Sequence, residues 1–293
     1  MNEPIPGKSR VGLAVLVGRT NVGKSTLLNA LVDTKVSIVS PRPQTTRHAV
    51  HGVVNLPGGQ IVFIDTPGFF RTHRSALVDR LHECTRAALE GVDAIVHVVD
   101  PTRPSGAEDE TVLTALERVE QPRLLCLSKA DVHRRPHRDL WLARAREANY
   151  AGFVEVSALT RRGLAELNES ILRLLPEGEP LYPSGEVTNV HRDFRIAETV
   201  REQVFLQTGD EVPYRTAVTL DEVVEAASPT GAPRMRVRAA ILVAEERYKG
   251  MLIGAGGSKV REMRLAARRE LERWLGFRVS LALVIRVDLK LGE

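Results

Sequence analysis

Cysteine is nearly absent: the 293-residue chain carries two, Cys84 and Cys126. Two thiols cannot build a disulfide framework, and their spacing matches no metal motif. Both fall in apolar-periodic segments, which points to buried free thiols in a reducing compartment. Long hydrophobic runs are missing too. The longest clean one, Val11–Val17, is strand-sized, far short of the ~18 residues of a membrane span. The opening MNEPIPGKSR has no basic stretch followed by a long apolar one, so no signal peptide is expected. His133 and His137 lie four apart, but Pro136 interrupts any helix between them and no further ligand is near, which argues against a metal site there. Charge is almost balanced, 41 Lys+Arg against 37 Asp+Glu for a net +4. With 43% hydrophobic and 27% charged residues, the composition is that of a soluble globular protein. At roughly 150 residues per domain, the length suggests two domains.

The first part of the chain alternates nearly continuous apolar runs with amphipathic stretches. The runs are Val11–Val17, Val50–Leu56, Gln60–Ile64, Ala94–Val99, Arg123–Leu127 and Phe153–Val156. Such runs are what strands covered on both faces look like. Helical patterns fall around Lys24–Val32, Ala76–Leu89, Asp109–Val119, Asp139–Ala148 and Gly163–Leu175. The sum predicts a doubly wound, mostly parallel α/β domain over 1–176, with its site at the carboxyl ends of the strands. Residues 177–190, rich in Pro, Gly and Glu, read as a linker. From 191 to 293 the pattern changes. A helix near Arg192–Leu206 precedes strands near Tyr214–Val224 and Met235–Ala244, with a turn at Pro229-Thr230-Gly231 between them. A helix–glycine loop–helix over Glu245–Leu275 and a strand at Arg278–Val287 complete a small α+β domain. No internal repeat or low-complexity tract is present.

Gly18-Arg19-Thr20-Asn21-Val22-Gly23-Lys24-Ser25 fits GxxxxGK[ST], after a buried strand and opening a helix. Glycines let backbone N–H groups wrap a polyphosphate at a helix N-terminus. Lys24 would neutralise the β/γ oxygens and the Ser25 hydroxyl would ligate Mg²⁺. Asp65-Thr66-Pro67-Gly68 follows a second apolar strand, where Asp65 can hold Mg²⁺ through water and the Gly68 N–H can meet a γ-phosphate. Ser128-Lys129-Ala130-Asp131 ends a third strand. Asp131 can accept two hydrogen bonds from N1–H and the exocyclic amine of guanine, a donor pair adenine lacks. The Lys129 stem would cover the ring, and a backbone N–H of Ser157-Ala158-Leu159 could meet the guanine O6.

Taken together, these motifs resemble the translational GTPase-like P-loop families, and specifically the bacterial Era GTPases, over nearly the whole chain. The resemblance implies GTP/GDP and Mg²⁺ as ligands. Pro43-Gln44-Thr45-Thr46-Arg47-His48 looks like that family's first switch, in which a threonine ligates Mg²⁺; Thr46 is favoured, with Thr45 the alternative. Two positions depart from the usual pattern. Ser128 stands where the family usually has Asn. Phe69 follows Gly68, where Ras-like proteins place a water-orienting Gln; an apolar residue there is normal for Era-like GTPases. Asn21 resembles the residue that helps related GTPases bind K⁺ beside the phosphates. Catalytic roles are therefore expected for Lys24, Thr46, Gly68 and Asn21.

In the second domain, Ile253-Gly254-Ala255-Gly256-Gly257 joins two helical segments and is flanked by Lys249 and Lys259. In α-β-β-α-α-β order this resembles a type II KH domain, which clamps about four single-stranded nucleotides. Val260, Met263, Ala267, Leu271 and Trp274 recur at helical steps and read as core. Arg261, Arg264 and Arg268 occupy another face and read as RNA-binding, and Ala255 and Gly256, the variable loop positions, are not basic. The family resemblance implies binding to the 3′ region of small-subunit (16S) ribosomal RNA and a role in assembling the 30S particle. It implies a cytoplasmic monomer, with a peripheral contact at the inner membrane face left open by the sequence. GTP would order segments around Thr45–Thr46 and Gly68–Ala76 and bias RNA access through the linker. Two rival readings remain: a P-loop ATPase or small-molecule kinase, which gives no reason for Asp131 and Ser157 at strand ends, and an RNA-binding protein with an inactive nucleotide domain.

Overall fold

The structure, a computed structural model, describes residues 9–42, 45–68, 83, 85, 87–209, 211–227 and 231–292. It divides into two units, 1–39 with 43–189, and 40–42 with 190–293.

In the first unit six strands form one sheet in the order β2-β3-β1-β4-β5-β6. They are β1 (Arg10–Val17), β2 (Val50–Leu56), β3 (Gly59–Asp65), β4 (Ala94–Val99), β5 (Arg123–Leu127) and β6 (Gly152–Glu155). β2 runs antiparallel to β3; the other pairings are parallel. All six residues of β4 are buried, as a central strand covered on both faces requires. Helices α1 (Lys24–Leu31), α2 (Ala107–Leu116) and α3 (Arg138–Glu147) lie between strands, and α4 (Leu164–Leu172) follows β6. Cores form from Val15, Ile95, Val112 and Leu116, and from Leu125, Leu127 and Trp141. Most of the helix expected over Ala76–Leu89 lies outside the described residues, as do Cys84, Pro229 and Thr230; residues 87–90 are helical. Cys126 is a buried free thiol whose pKa burial pushes up.

The Pro-rich stretch after 176 is tied down rather than loose. Gln60 holds it, its Oε1 accepting from Leu181 and Tyr182 N–H groups at 2.8 and 3.0 Å. Farther on, Val53 N–H donates to the Val187 carbonyl and His51 N–H to Asn189 Oδ1. β2 is the edge strand of its sheet, so this strap covers amides that would otherwise be an open template for pairing.

The second unit contains α5 (Arg192–Gln207), β7 (Thr216–Ala227), β8 (Pro233–Val243), α6 (Glu246–Ile253), α7 (Ser258–Leu275) and β9 (Arg278–Val287). β7 begins two residues later than the sequence suggests, because Val212–Arg215, with Pro213 in it, forms a 3₁₀ turn. The sheet order is β7-β8-β9, antiparallel then parallel. Ile196, Val200 and Val204 of α5 and Met263, Ala267 and Leu271 of α7 are fully buried over it, with Val260 and Trp274 packed at the margin.

Gly163 caps α4 with φ +76°, and a Cβ there would stand 2.1 Å from the Glu155 carbonyl oxygen. Gly163→Ala should therefore cost at least about 2 kcal/mol, from left-handed strain plus the clash. Urea unfolding of the full chain measures it.

Candidate nucleotide and nucleic-acid sites

The ends of β1, β3, β5 and β6 feed one edge of the first sheet, and the sequence motifs follow those four ends. The phosphate loop is shaped by left-handed residues, Asn21 at φ +60° and Gly23 at φ +106°. A Cβ on Gly18 would lie 2.3 Å from the Val98 carbonyl oxygen, so only glycine fits under the loop. α1 then starts with no side-chain cap and no acidic residue in its first turn, leaving its first amides for an anion.

Lys24 is buried, and its Nζ donates to the Gly18 and Arg19 carbonyls, each at 2.9 Å. Burial pulls its pKa down to about 8, against the raising fields of Asp65 and Glu108. Gly68 closes over the lysine: a Cβ there would come within 2.9 Å of Lys24 Nζ and of Thr20 Cα. This places the Gly68 amide at the mouth of the loop.

Three oxygens converge beside Lys24. Ser25 Oγ donates to Asp65 Oδ2 at 2.6 Å and lies 3.0 Å from Thr46 Oγ1. Thr66, next along, donates its hydroxyl to the Leu16 carbonyl at 2.9 Å and pins the turn that leads through Pro67. Ser37 Oγ, which the sequence reading missed, also donates to Asp65 Oδ2, at 3.0 Å. The other oxygen, Asp65 Oδ1, is buried with no hydrogen-bond partner, and burial raises the pKa of this carboxyl. A buried carboxylate oxygen left bare among hydroxyl groups suits a hard divalent cation such as Mg²⁺. Thr46 rather than Thr45 is the threonine brought to 3.0 Å of Ser25.

Ser128 turns inward, its Oγ lying 2.8 Å from both the Val22 and Val99 carbonyls. The shorter residue therefore still ties this loop to the phosphate loop. Lys129 has φ +56°, and its ammonium contacts Asp100 Oδ2 at 2.5 Å. Asp100, also missed in the sequence, is held by Thr102, and these partners keep its carboxyl below the usual range despite burial. Asp131 is exposed and accepts from Ser157 Oγ at 2.6 Å, an orientation fixed before any base arrives. Leu159 is 82% exposed at the tip of the next turn, beside Ala158. Phe69, Pro43 and Gln44 lie outside the described residues, as does the second switch beyond Gly68.

Two further acids bear on the phosphate loop from the first turn of α2. Thr20 Oγ1 donates to Glu108 Oε2 at 3.1 Å, and Arg19 pairs with Asp109 at 3.0 Å. Asp109 also accepts from the Gly106 N–H and so caps its own helix.

In the second unit the glycine loop joins α6 to α7. Gly254 has φ +70° and a Cβ there would meet the Lys259 side chain at 2.9 Å, whereas Gly256 and Gly257, also at positive φ, face open space. The loop is thus bare where a sugar–phosphate backbone would approach. Ala255, Lys259 and Arg261 are exposed and Arg264 and Arg268 half-buried. Lys249 pairs with Glu246 at 3.0 Å, and Ile253 sits exposed at the end of α6.

A family profile described as a 50S ribosome-binding GTPase matches residues 13–129, and a KH-domain profile matches residues 211–289. GTPase Era of Xanthomonas campestris pv. campestris is 39% identical over 289 residues, covering 98% of this chain and 94% of that protein. GTPase Era of Carboxydothermus hydrogenoformans is 39% identical over 94% of this chain and 92% of its own length. Among solved structures, a variant of Aquifex aeolicus Era bound to GDP and AlF4⁻ superposes with TM-score 0.86 at 34% identity, covering 95% and 94% of the two chains. An Era complex with MgGDPNP and nucleotides 1506–1542 of 16S ribosomal RNA gives TM-score 0.87 at 34% identity, over 96% and 94%.

Because the Lys24 amine in the free protein titrates near 8, it is an ammonium below that pH and neutral above it. A bound diphosphate favours the ammonium, so binding above pH 8 must take up a proton. GDP affinity should be nearly flat between about pH 7 and 8 and fall by up to about tenfold per unit above it, as titration with a fluorescent GDP would register.

Proposed function

The chain belongs to the Era family of GTPases, and from that premise we propose how its own residues bind GTP, hydrolyse it and engage ribosomal RNA. As a family member it is an enzyme that converts GTP to GDP and phosphate. Ser25, Thr46 and Asp65 would hold Mg²⁺, which would supply positive charge to the phosphates. The buried Asp65 Oδ1 is the observation that carries this reading, because among the described residues it accepts no hydrogen bond.

Phosphoryl transfer leaves the protein little covalent work; positioning and charge dominate. Lys24 turns its remaining N–H toward the phosphates, and the amides of Gly18–Ser25 follow the chain of oxygens. The Gly68 amide donates to the γ-phosphate as charge spreads over it. Asp131 pairs with the guanine N1–H and amine while the Lys129 stem, fixed by Asp100, covers the ring face. Backbone amides at Ser157–Leu159 complete the base site. Asn21, in left-handed conformation within the phosphate loop, would help hold K⁺ beside the phosphates, where a monovalent cation would add charge to the transition state. Hydrolysis should then run roughly tenfold faster in K⁺ than in Na⁺ at equal ionic strength; equal rates would remove this role.

The second unit binds single-stranded RNA of the small ribosomal subunit at its glycine loop, and the chain acts in assembly of the 30S particle. What supports this is the open space over Gly256 and Gly257 together with Lys259, Arg261, Arg264 and Arg268 on the helix that follows. We read the working form as a cytoplasmic monomer. Among the described residues no helix is long and apolar enough to cross a membrane, so any contact with the inner membrane face would be peripheral.

The test of the base assignment is Asp131→Asn. Asparagine offers a donor where guanine also donates, so GTP affinity should fall roughly 100-fold or more. Xanthosine triphosphate, with an oxygen in place of the amine, should bind the variant better than GTP does. Unchanged GTP affinity would overturn the assignment, and preference for ATP in the unmodified chain would overturn the GTPase reading as a whole.

A further inference from the structure

A cavity of about 560 Å³ opens in the second unit at the far end of α7 from the glycine loop. Its walls carry Arg234 at the start of β8, Arg268 and Glu272 on α7, and Arg278 and Val279 at the start of β9, with buried Met235 behind them. Arg234 and Arg278 are register partners across β8 and β9, both exposed, and neither has an ion pair among the described residues. Two guanidinium groups side by side at a sheet end repel one another and weaken the pairing unless something negative lies between them. Arg268 points the same way: its Nε is buried without a hydrogen-bond partner, 3.8 Å from the nearest Glu272 oxygen. Glu272 is the one carboxylate present, and its Oε1 is engaged by the Val279 N–H at 3.1 Å. Three cations against one acid leave an excess of two positive charges around a cavity large enough for a nucleotide.

We propose that this cavity is a phosphate subsite for single-stranded RNA, taking the phosphodiester beyond the stretch held at Gly254–Gly257. The proposal rests on the RNA-binding reading given above and extends it. Arg261, Arg264, Arg268 and Glu272 follow steps of three and four, so they form one flank of α7. Fifteen residues separate Gly257 from Glu272, a rise of about 22 Å along the helix axis. That is the scale of the about four nucleotides a KH groove holds, so a strand laid along this flank reaches the cavity as it leaves the groove. Arg234 and Arg278 then close on the next phosphate, with the buried Arg268 Nε as an inner donor. A nucleic-acid backbone offers one negative charge per phosphate, which the net charge here can neutralise without expelling Glu272.

The experiment compares the full chain with an Arg234→Ala/Arg278→Ala variant, titrated with labelled RNA oligomers of four to eight nucleotides. Both arginines are exposed, so the fold should survive, and matching thermal unfolding checks this. For the unmodified chain, affinity should rise at least about tenfold once the oligomer outgrows four nucleotides. The variant should lose that rise yet bind the tetramer as before, and its salt slope for the longer oligomer should drop by about 1.4. Overturning results are a variant that keeps the length-dependent gain, or one that loses tetramer and octamer equally. If the unmodified chain binds tetramers but gains nothing with length, the cavity is not on the RNA path while the glycine-loop reading stands. If it binds no single-stranded RNA of any length, that reading fails first. Inorganic phosphate is a further arm. Competition beyond that of chloride at equal ionic strength, abolished in the variant, would assign the cavity to a free phosphate instead of RNA.

Discussion

A lysine ammonium buried under eight residues of backbone is the constraint on which the nucleotide unit depends. Lys24 has left water, and two carbonyls of its own loop replace only part of that hydration. The opposite charge nearby, Asp65, is itself buried and half-satisfied. Such an arrangement is costly by itself, since each buried ion must be paired to persist. It is tolerable where a polyanion and a divalent cation complete it. The shift of Lys24 toward neutrality and of Asp65 toward protonation are the same fact viewed from two side chains. Each moves away from charge because burial strips it of water.

Holding that loop in shape falls partly to residues outside it. Arg19 and Thr20, two of the four variable positions of the motif, are gripped by consecutive acids, Asp109 and Glu108, at the start of α2. Arg19 also donates to the Pro104 carbonyl at 3.0 Å. Asp109 does two jobs, since it satisfies the Gly106 amide at its own helix start while pairing with Arg19. On the base side, Ser128 reaches Val22 in the same loop, so the phosphate and guanine segments share a hydrogen bond. Displacing either segment therefore disturbs the other.

Local pattern made much of this legible. The bounds of β2, β4, β5 and β9 agree with their apolar runs, because strands buried on one or both faces leave little room for polar residues at their margins. The phosphate-loop, Asp65 and Asp131 segments were readable because backbone geometry and ligand chemistry fix residue types at short spacing. Ser37, Asp100, Glu108 and Asp109 were not. They act on partners 28, 29, 88 and 90 positions away, and no local spacing encodes a contact that the sheet order creates. The arginine pair at 234 and 278 was hidden for the same reason: only the parallel register of β8 and β9 sets them side by side.

The two sites share a device that breaks a rule of helix design. An ordinary helix start here is that of α2, with Glu108, Asp109 and Glu110 in its first turn, or that of α5, with His191 as cap and Asp193 behind it. These acids answer the positive end of the helix dipole. α1 and α7 do the reverse. Each follows a glycine cap in left-handed conformation, Gly23 at φ +106° and ψ +18° and Gly257 at φ +77° and ψ +17°. Neither has a side-chain cap or an acid in its first turn, and each opens with a lysine, Lys24 or Lys259, at its first or second residue. Cations at this end cost each helix roughly 0.3–1 kcal/mol apiece. Farther along α7 acids are interleaved with the arginines, Glu272 lying near Arg268 and Glu270 pairing with Arg273. Local choices that oppose folding at these two helix starts are what positions set by a ligand, as proposed above, would show. In both units that ligand carries phosphate: in one the chain of a nucleoside triphosphate, in the other the backbone of RNA.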